Sequence, residues 1–78
     1  MIDTELWINM ALVAIGRLED GTDFTLKELF EEAEWKKLDI GDRLHLGREF
    51  KRKAKKGDFP HVNYVEASKN PARYVYKK

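Results

Sequence analysis

The chain has 78 residues, no cysteine, two histidines and a formal net charge of +1. This length predicts one domain, residues 1–78, near the lower limit for an independent hydrophobic core. The absence of cysteine excludes disulfide bridges, thiolate metal sites and a cysteine nucleophile. Because His45 and His61 are too few and too far apart for a metal site, we expect no metal and no cofactor.

The two halves of the chain differ strongly in charge. Residues 1–39 hold ten acidic and four basic residues, a net charge of −6. Residues 40–78 hold four acidic and eleven basic residues, a net charge of +7. This asymmetry favours a nucleic-acid-binding protein. The alternative is that the acidic half pairs with the basic half inside the fold.

No segment has the features of a signal peptide or of a membrane span. The apolar stretch over residues 6–15 is too short to cross a bilayer, and Asn9 interrupts it. Two acidic residues, Asp3 and Glu5, stand where a signal peptide begins with basic ones. We therefore expect a cytoplasmic protein that does not contact a membrane.

The first predicted helix begins after Asp3, which is a good N-cap, and runs to about residue 18. Its polar arc is narrow, and Ile8 and Leu12 lie beside the main apolar stripe. A helix this apolar is buried on more than one side. The second side is covered either by another subunit, which predicts a homodimer through Ile8 and Leu12, or by later elements of the same chain.

The second predicted helix begins at a capping box formed by Thr25 and Glu28, and it extends over about residues 26–32. Residues 23–24 precede the cap as a short strand. Three carboxylates cluster at the end of this helix and just after it, at Glu31, Glu32 and Glu34. We interpret these carboxylates as a solvated acidic face and not as an acid–base pair.

The third predicted helix, Ile40–Lys56, follows the N-cap Asp39 and ends before Gly57. At about 100° per residue it divides into two faces. The apolar face comprises Leu44, Leu46, Gly47, Phe50 and Ala54. The opposite face carries His45, Arg48, Arg52, Lys55 and Lys56. Such a cationic face indicates nucleic-acid binding, because arginine contacts guanine bidentately or grips phosphate; the alternative is an ordinary solvated face.

One glycine interrupts the apolar face of this third helix. Gly47 destabilises a helix interior by about 1 kcal/mol relative to alanine. We expect the second helix to approach closely there and to offset this loss. The alternative is a tolerated local weakness.

Residues 61–67 and 72–77 are rich in valine and tyrosine and flank the turn sequence 68–71, which predicts a β-hairpin. The order helix, short strand, helix, helix, hairpin predicts an α+β fold that is winged helix-turn-helix-like, with three helices plus a C-terminal β-hairpin. In this fold the third helix reads DNA and the hairpin is the wing. We expect the wing residues Lys69 and Arg73 on the same side of the molecule as Arg48.

The middle of the chain also carries a distinctive residue pattern. It reads Leu29-Phe30, Trp35-x-x-Leu38-x-x-Gly41 and Leu46-Gly47-Arg48-Glu49-Phe50, completed by Gly57, Asn70 and Tyr74. Over residues 24–76 the chain resembles a small bacterial and phage family that is catalogued as a domain of unknown function, number fourteen-thirteen. The resemblance implies a small helix-rich domain with a C-terminal hairpin and no catalytic residues.

The sequence contains no catalytic constellation, because no pattern of partner residues accompanies its one serine, Ser68. We therefore expect that the protein is not an enzyme. We expect a regulatory winged-helix protein of bacterial, phage or mobile-element origin that binds double-stranded DNA. The expected contacts are His45, Arg48, Arg52, Lys55, Lys56, Lys69 and Arg73. The alternative is a protein-interaction module on the same fold that docks a partner through helix one and the acidic helix two.

Overall fold

The structure, a computed structural model, describes residues 2–66 and 72–78. Within those residues the chain forms a mixed α+β fold of three α-helices, one short 3₁₀-helix and a three-stranded antiparallel sheet. The elements are α1 (Thr4–Ile15), β1 (Asp23–Thr25), the 3₁₀-helix (Lys27–Leu29), α2 (Glu32–Trp35), α3 (Ile40–Lys56), β2 (Val62–Tyr64) and β3 (Arg73–Tyr76). None of the helices described is long and apolar enough to cross a membrane.

Helix α1 begins as predicted and ends earlier. The Asp3 carboxylate accepts a hydrogen bond from the Leu6 N–H at 3.2 Å, which caps the helix. The α-helix ends at Ile15, and 3₁₀-type hydrogen bonds continue the turn to Leu18. Gly16 stands directly after Ile15, and a glycine weakens helix propagation at this point.

The apolar surface of α1 is distributed differently from the prediction. Ile8 is 5% exposed and lies in the core, and Leu12 packs against that core. Ile8 therefore has little surface left for a second subunit, whereas Leu12 is half-buried. The apolar side chains that α1 exposes are Leu6, at 53%, and Val13, at 59%. The homodimer through Ile8 and Leu12 stays a prediction, and Leu6 and Val13 are further exposed apolar side chains of the same helix.

The predicted capping box is confirmed in part. The Glu28 carboxylate accepts hydrogen bonds from the Thr25 N–H at 2.9 Å and from the Thr25 hydroxyl at 3.0 Å. The first of these is the backbone contact that a capping box requires. Thr25 is 6% exposed, so this carboxylate satisfies a buried hydroxyl and a backbone donor at the start of the segment.

The predicted helix over residues 26–32 is replaced by two short pieces. The 3₁₀-helix ends at Leu29, and extended backbone at Phe30 separates it from α2. The Phe30 ring packs between two tryptophans, 5.0 Å from Trp7 and 5.8 Å from Trp35 between ring centroids. Aromatic packing that includes Trp7, which is distant in sequence, therefore overrides the local helix propensity.

Helix α3 spans the predicted range. The Asp39 carboxylate accepts from the Asp42 N–H at 2.8 Å, and Gly57 ends the helix in the left-handed conformation at φ 84°. Its buried residues are Leu46, Phe50 and Ala54. The prediction is wrong for Leu44, which is 55% exposed. Leu44 lies about 120° round the helix from Phe50, at the edge of the apolar arc.

The two strands of the predicted hairpin, β2 and β3, pair antiparallel, with Val62 opposite Tyr76 and Tyr64 opposite Tyr74. Strand β1 pairs with the other edge of β3, so that the sheet order is β1-β3-β2. The strands are shorter than the sequence predicted. The predicted turn over residues 68–71, which includes Lys69, lies outside the described residues.

Tyr74, on the central strand, lies at the middle of the core and is 2% exposed. Its ring stacks on Phe24 at 5.7 Å and meets the edge of Phe50 at 4.9 Å between centroids. Burial raises the pKa of Tyr74 to about 12, and the neighbouring Tyr64 adds a smaller rise. The core therefore holds this phenol in its neutral form.

We expect this burial to make the domain sensitive to alkaline pH. A raised pKa stabilises the folded protein below the ordinary value of 10.0, and this stabilisation is lost as the pH approaches 12. Urea unfolding at about pH 9 and about pH 11 should show the loss in the wild type and a smaller loss in Tyr74→Phe. Equal losses in both proteins would assign the alkaline sensitivity to other groups.

Candidate nucleic-acid interface

The outer face of α3 carries the cations that the sequence singled out. His45, Arg48, Arg52, Lys55 and Lys56 are all exposed. Their orientation follows from the buried stripe on the opposite side of the helix, because residues half a turn away from that stripe point outward. Their exposure is confirmed, and their role as DNA contacts stays a prediction.

One of these cations has a carboxylate partner on the same helix. Arg52 Nη2 lies 2.8 Å from Glu49 Oε2. The hydrogen bond from Arg52 lowers the pKa of Glu49, and the same bond raises the pKa of Arg52. An ion pair this exposed contributes little to stability, so Arg52 can exchange Glu49 for a ligand phosphate at small cost.

Two lysines connect the outer face of α3 to the hairpin. The ammonium groups of Lys51 and Lys55 lie 5.0 and 5.6 Å from the centroid of the Tyr64 ring on β2, within cation–π distance. Lys51 is not among the contacts predicted from the sequence, although its spacing of four residues from Lys55 places the two on one side of the helix.

These lysines belong to a continuous cationic surface. Five side chains line one shallow depression and are called the basic face hereafter: Arg48, Lys51, Arg52, Lys55 and Lys56. They come from a single helix, so their relative positions are set by its rigid backbone. This arrangement offers several positive charges within reach of one anionic surface.

Arg73 lies elsewhere. It alternates with the buried Tyr74 along β3, and its side chain is therefore on the other face of the sheet, away from α3. Its guanidinium is 3.4 Å from the Asp23 carboxylate and 4.0 Å from that of Glu28. The structure does not bring Arg73 beside Arg48. Pairing between the acidic and basic halves does occur at Arg73, whereas Arg52 pairs within its own helix.

A cleft of 660 Å³ lies between one side of α3 and the hairpin, bordered also by residues of β1 and α2, and Gly47 is among the residues that line it. A Cβ built on Gly47 meets no neighbouring atom within 4 Å. The expected close approach of the second helix to Gly47 is therefore wrong. Packing does not offset the loss of helix stability at this glycine, about 1 kcal/mol; the glycine instead leaves open space in the cleft.

The cleft combines apolar walls with positive charge. Its cations are Lys27, Arg43, Arg48 and Lys51, and its described lining contains no carboxylate. Arg43 Nη2 donates to the Trp35 carbonyl oxygen at 3.2 Å, and the guanidinium lies 5.8 Å from the Trp35 ring centroid. The Arg43 Nε is buried and has no hydrogen-bond partner among the described residues. These contacts hold the charge of Arg43 in place without neutralising it.

The protein is thus a small α+β domain with a cationic helix. Comparison with known proteins places it in a family. Residues 9–78 match the family described as Domain of unknown function (DUF1413), so the chain belongs to this family. The match begins inside α1 and so extends beyond the resemblance over residues 24–76. No curated protein and no solved structure matches the chain.

Proposed function

We propose that the protein binds double-stranded DNA through the basic face. The observation that carries this proposal is the row of five cations on one side of α3, with Glu49 paired to Arg52 among them. Helix α3 has 17 residues and is therefore about 25 Å long. An α-helix fits the major groove, which is about 12 Å wide, where arginine and lysine reach both phosphates and guanine edges.

The topology supports a winged-helix form of this interaction. In such a domain α2 and α3 form the helix-turn-helix, and β2 and β3 form the wing. The sheet order β1-β3-β2 places the hairpin beside α3, where Tyr64 contacts Lys51 and Lys55. Helix α2 has only four residues, so the support comes from the order and pairing of the elements. A regulatory role is part of this proposal, because a domain of this kind acts by occupying DNA.

The proposal is tested by fluorescence polarisation with a labelled random-sequence duplex at about 50 and about 200 mM salt. Contacts from five cations to phosphates predict a slope of about −4.5 in a plot of log K against log salt, which is about a 500-fold loss of affinity between these concentrations. An affinity that does not change with salt, or no binding at the lower salt concentration, would contradict the proposal.

The second candidate is a protein-interaction module, and the exposed apolar side chains of α1 favour it. Leu6 and Val13 are each more than half exposed, and the nearby α2 segment carries exposed carboxylates at Glu31 and Glu32. A module that docks a partner protein through this surface has no need of the basic face on α3. The polarisation assay therefore separates the two candidates, because this second candidate predicts no binding to the duplex at the lower salt concentration.

A further inference from the structure

We propose that the cleft between α3 and the hairpin is a binding site for a small organic anion, a carboxylate or sulfonate that carries an aromatic or aliphatic body. Its volume of 660 Å³ lies within the range of about 300–1,000 Å³ that is typical of small-molecule sites. The site is distinct from the basic face in its chemistry, because its walls are largely apolar and suit a hydrophobic body better than a sugar–phosphate chain.

The apolar walls present side chains that the core does not use. Ile40 is 75% exposed and Leu44 is 55% exposed, and both line the cleft. Trp35 and Tyr64 contribute aromatic rings to the same lining. A ligand body seated here would remove these groups from water, which is the usual source of affinity in such sites.

The charge of the cleft selects an anion. Arg43, Arg48 and Lys51 line it together with Lys27, and the described lining holds no carboxylate. The Arg43 charge is held by a carbonyl oxygen and an aromatic ring, and neither group neutralises it. Cations beside low-dielectric walls bind carboxylates more strongly than cations in open water do.

Gly47 provides the space for the ligand. Any side chain at this position would project from α3 into the cleft, where no neighbouring atom lies within 4 Å of a built Cβ. Packing against another element does not account for a glycine here. A requirement for space next to the helix backbone accounts for it, because glycine allows a ligand to approach the backbone closely.

Arg48 and Lys51 belong to both the cleft and the basic face, so a ligand and DNA would draw on the same two cations. The cleft is therefore tested without DNA, and the result does not depend on the proposed function. The probe is 2-naphthoate, and 2-naphthalenemethanol is its neutral counterpart. Titration of the ¹⁵N-labelled full chain, followed by ¹H–¹⁵N NMR, measures affinity and location together.

We expect saturable shifts at the amides of Leu44, Gly47 and Tyr64, with a Kd of about 1 mM or tighter. The neutral alcohol should bind about 10-fold more weakly, because it forms no charge-assisted hydrogen bond. Replacing both Arg48 and Lys51 by glutamine should weaken naphthoate binding by about 10-fold and leave alcohol binding unchanged. Equal binding of the two probes, or shifts confined to α1, would overturn the proposal.

A graded pair of substitutions tests the space in the cleft. Gly47→Ala should raise the thermal midpoint and retain naphthoate binding, because one methyl group occupies little of the volume. Gly47→Leu should also raise the midpoint and should weaken binding by at least about 10-fold, because it fills the site. A folded Gly47→Leu protein that binds naphthoate as tightly as the wild type would overturn the assignment.

Discussion

Leu46→Ala should lower the free energy of unfolding by about 2–5 kcal/mol, whereas Leu44→Ala should change it by less than about 0.5 kcal/mol. The two leucines lie two positions apart on α3, and the same methylene groups are removed in each variant. Leu46 is 0% exposed and Leu44 is 55% exposed. Only the first truncation leaves a cavity in the core.

Urea unfolding followed by circular dichroism measures this difference. A domain of this size has a total stability on the order of 4–12 kcal/mol, so Leu46→Ala should remove a large part of it. Leu44→Ala is the matched control for composition and helix propensity. Similar losses in the two variants would mean that Leu44 is buried, as its assignment to the apolar face of the predicted helix requires.

The double variant Arg48→Gln/Lys55→Gln should weaken duplex DNA binding by about 10–100-fold at low salt and reduce the magnitude of the salt slope by about 1.8. Each substitution removes one cation from the basic face while the buried side of α3 stays intact. Both side chains are exposed, so the thermal midpoint should change little. Polarisation titrations at several salt concentrations give both quantities.

Lys36→Gln/Lys37→Gln is the control for net charge. It removes the same number of charges from two exposed positions after α2, and neither lysine belongs to the basic face. We expect its DNA affinity to stay within about 3-fold of the wild type, because these lysines contact no phosphate in the proposed complex. A loss equal to that of the basic-face variant would show that overall charge, and not this helix, governs binding.

The boundaries of helices were predictable where they depend on near neighbours in the chain. Asp3 and Asp39 each accept a hydrogen bond from a backbone N–H three residues later, and Gly57 supplies the left-handed turn after α3. Such caps are satisfied within one turn of helix, so their residue types alone predict them. The exposure of the cations on α3 follows in the same way from helical periodicity.

The break at Phe30 was not predictable from local signals. The capping box at Thr25 and Glu28 favours a helix, and its carboxylate contact is present. The chain nevertheless turns out of the helix so that Phe30 packs between Trp7 and Trp35. Trp7 belongs to α1, and the residues near Phe30 in the sequence contain no pattern that predicts this contact.

The sequence by itself determined the direction in which each side chain of α1 and α3 points from the helix axis. It also determined the helix caps and the strand pairing of the hairpin. Only the tertiary structure decided which sides of these helices are covered by another element. It buries Ile8 and exposes Leu6, leaves Leu44 and Gly47 on an open cleft, and holds Arg73 beside Asp23. Periodicity gives a side chain its direction, whereas burial and pairing depend on elements that only folding brings alongside.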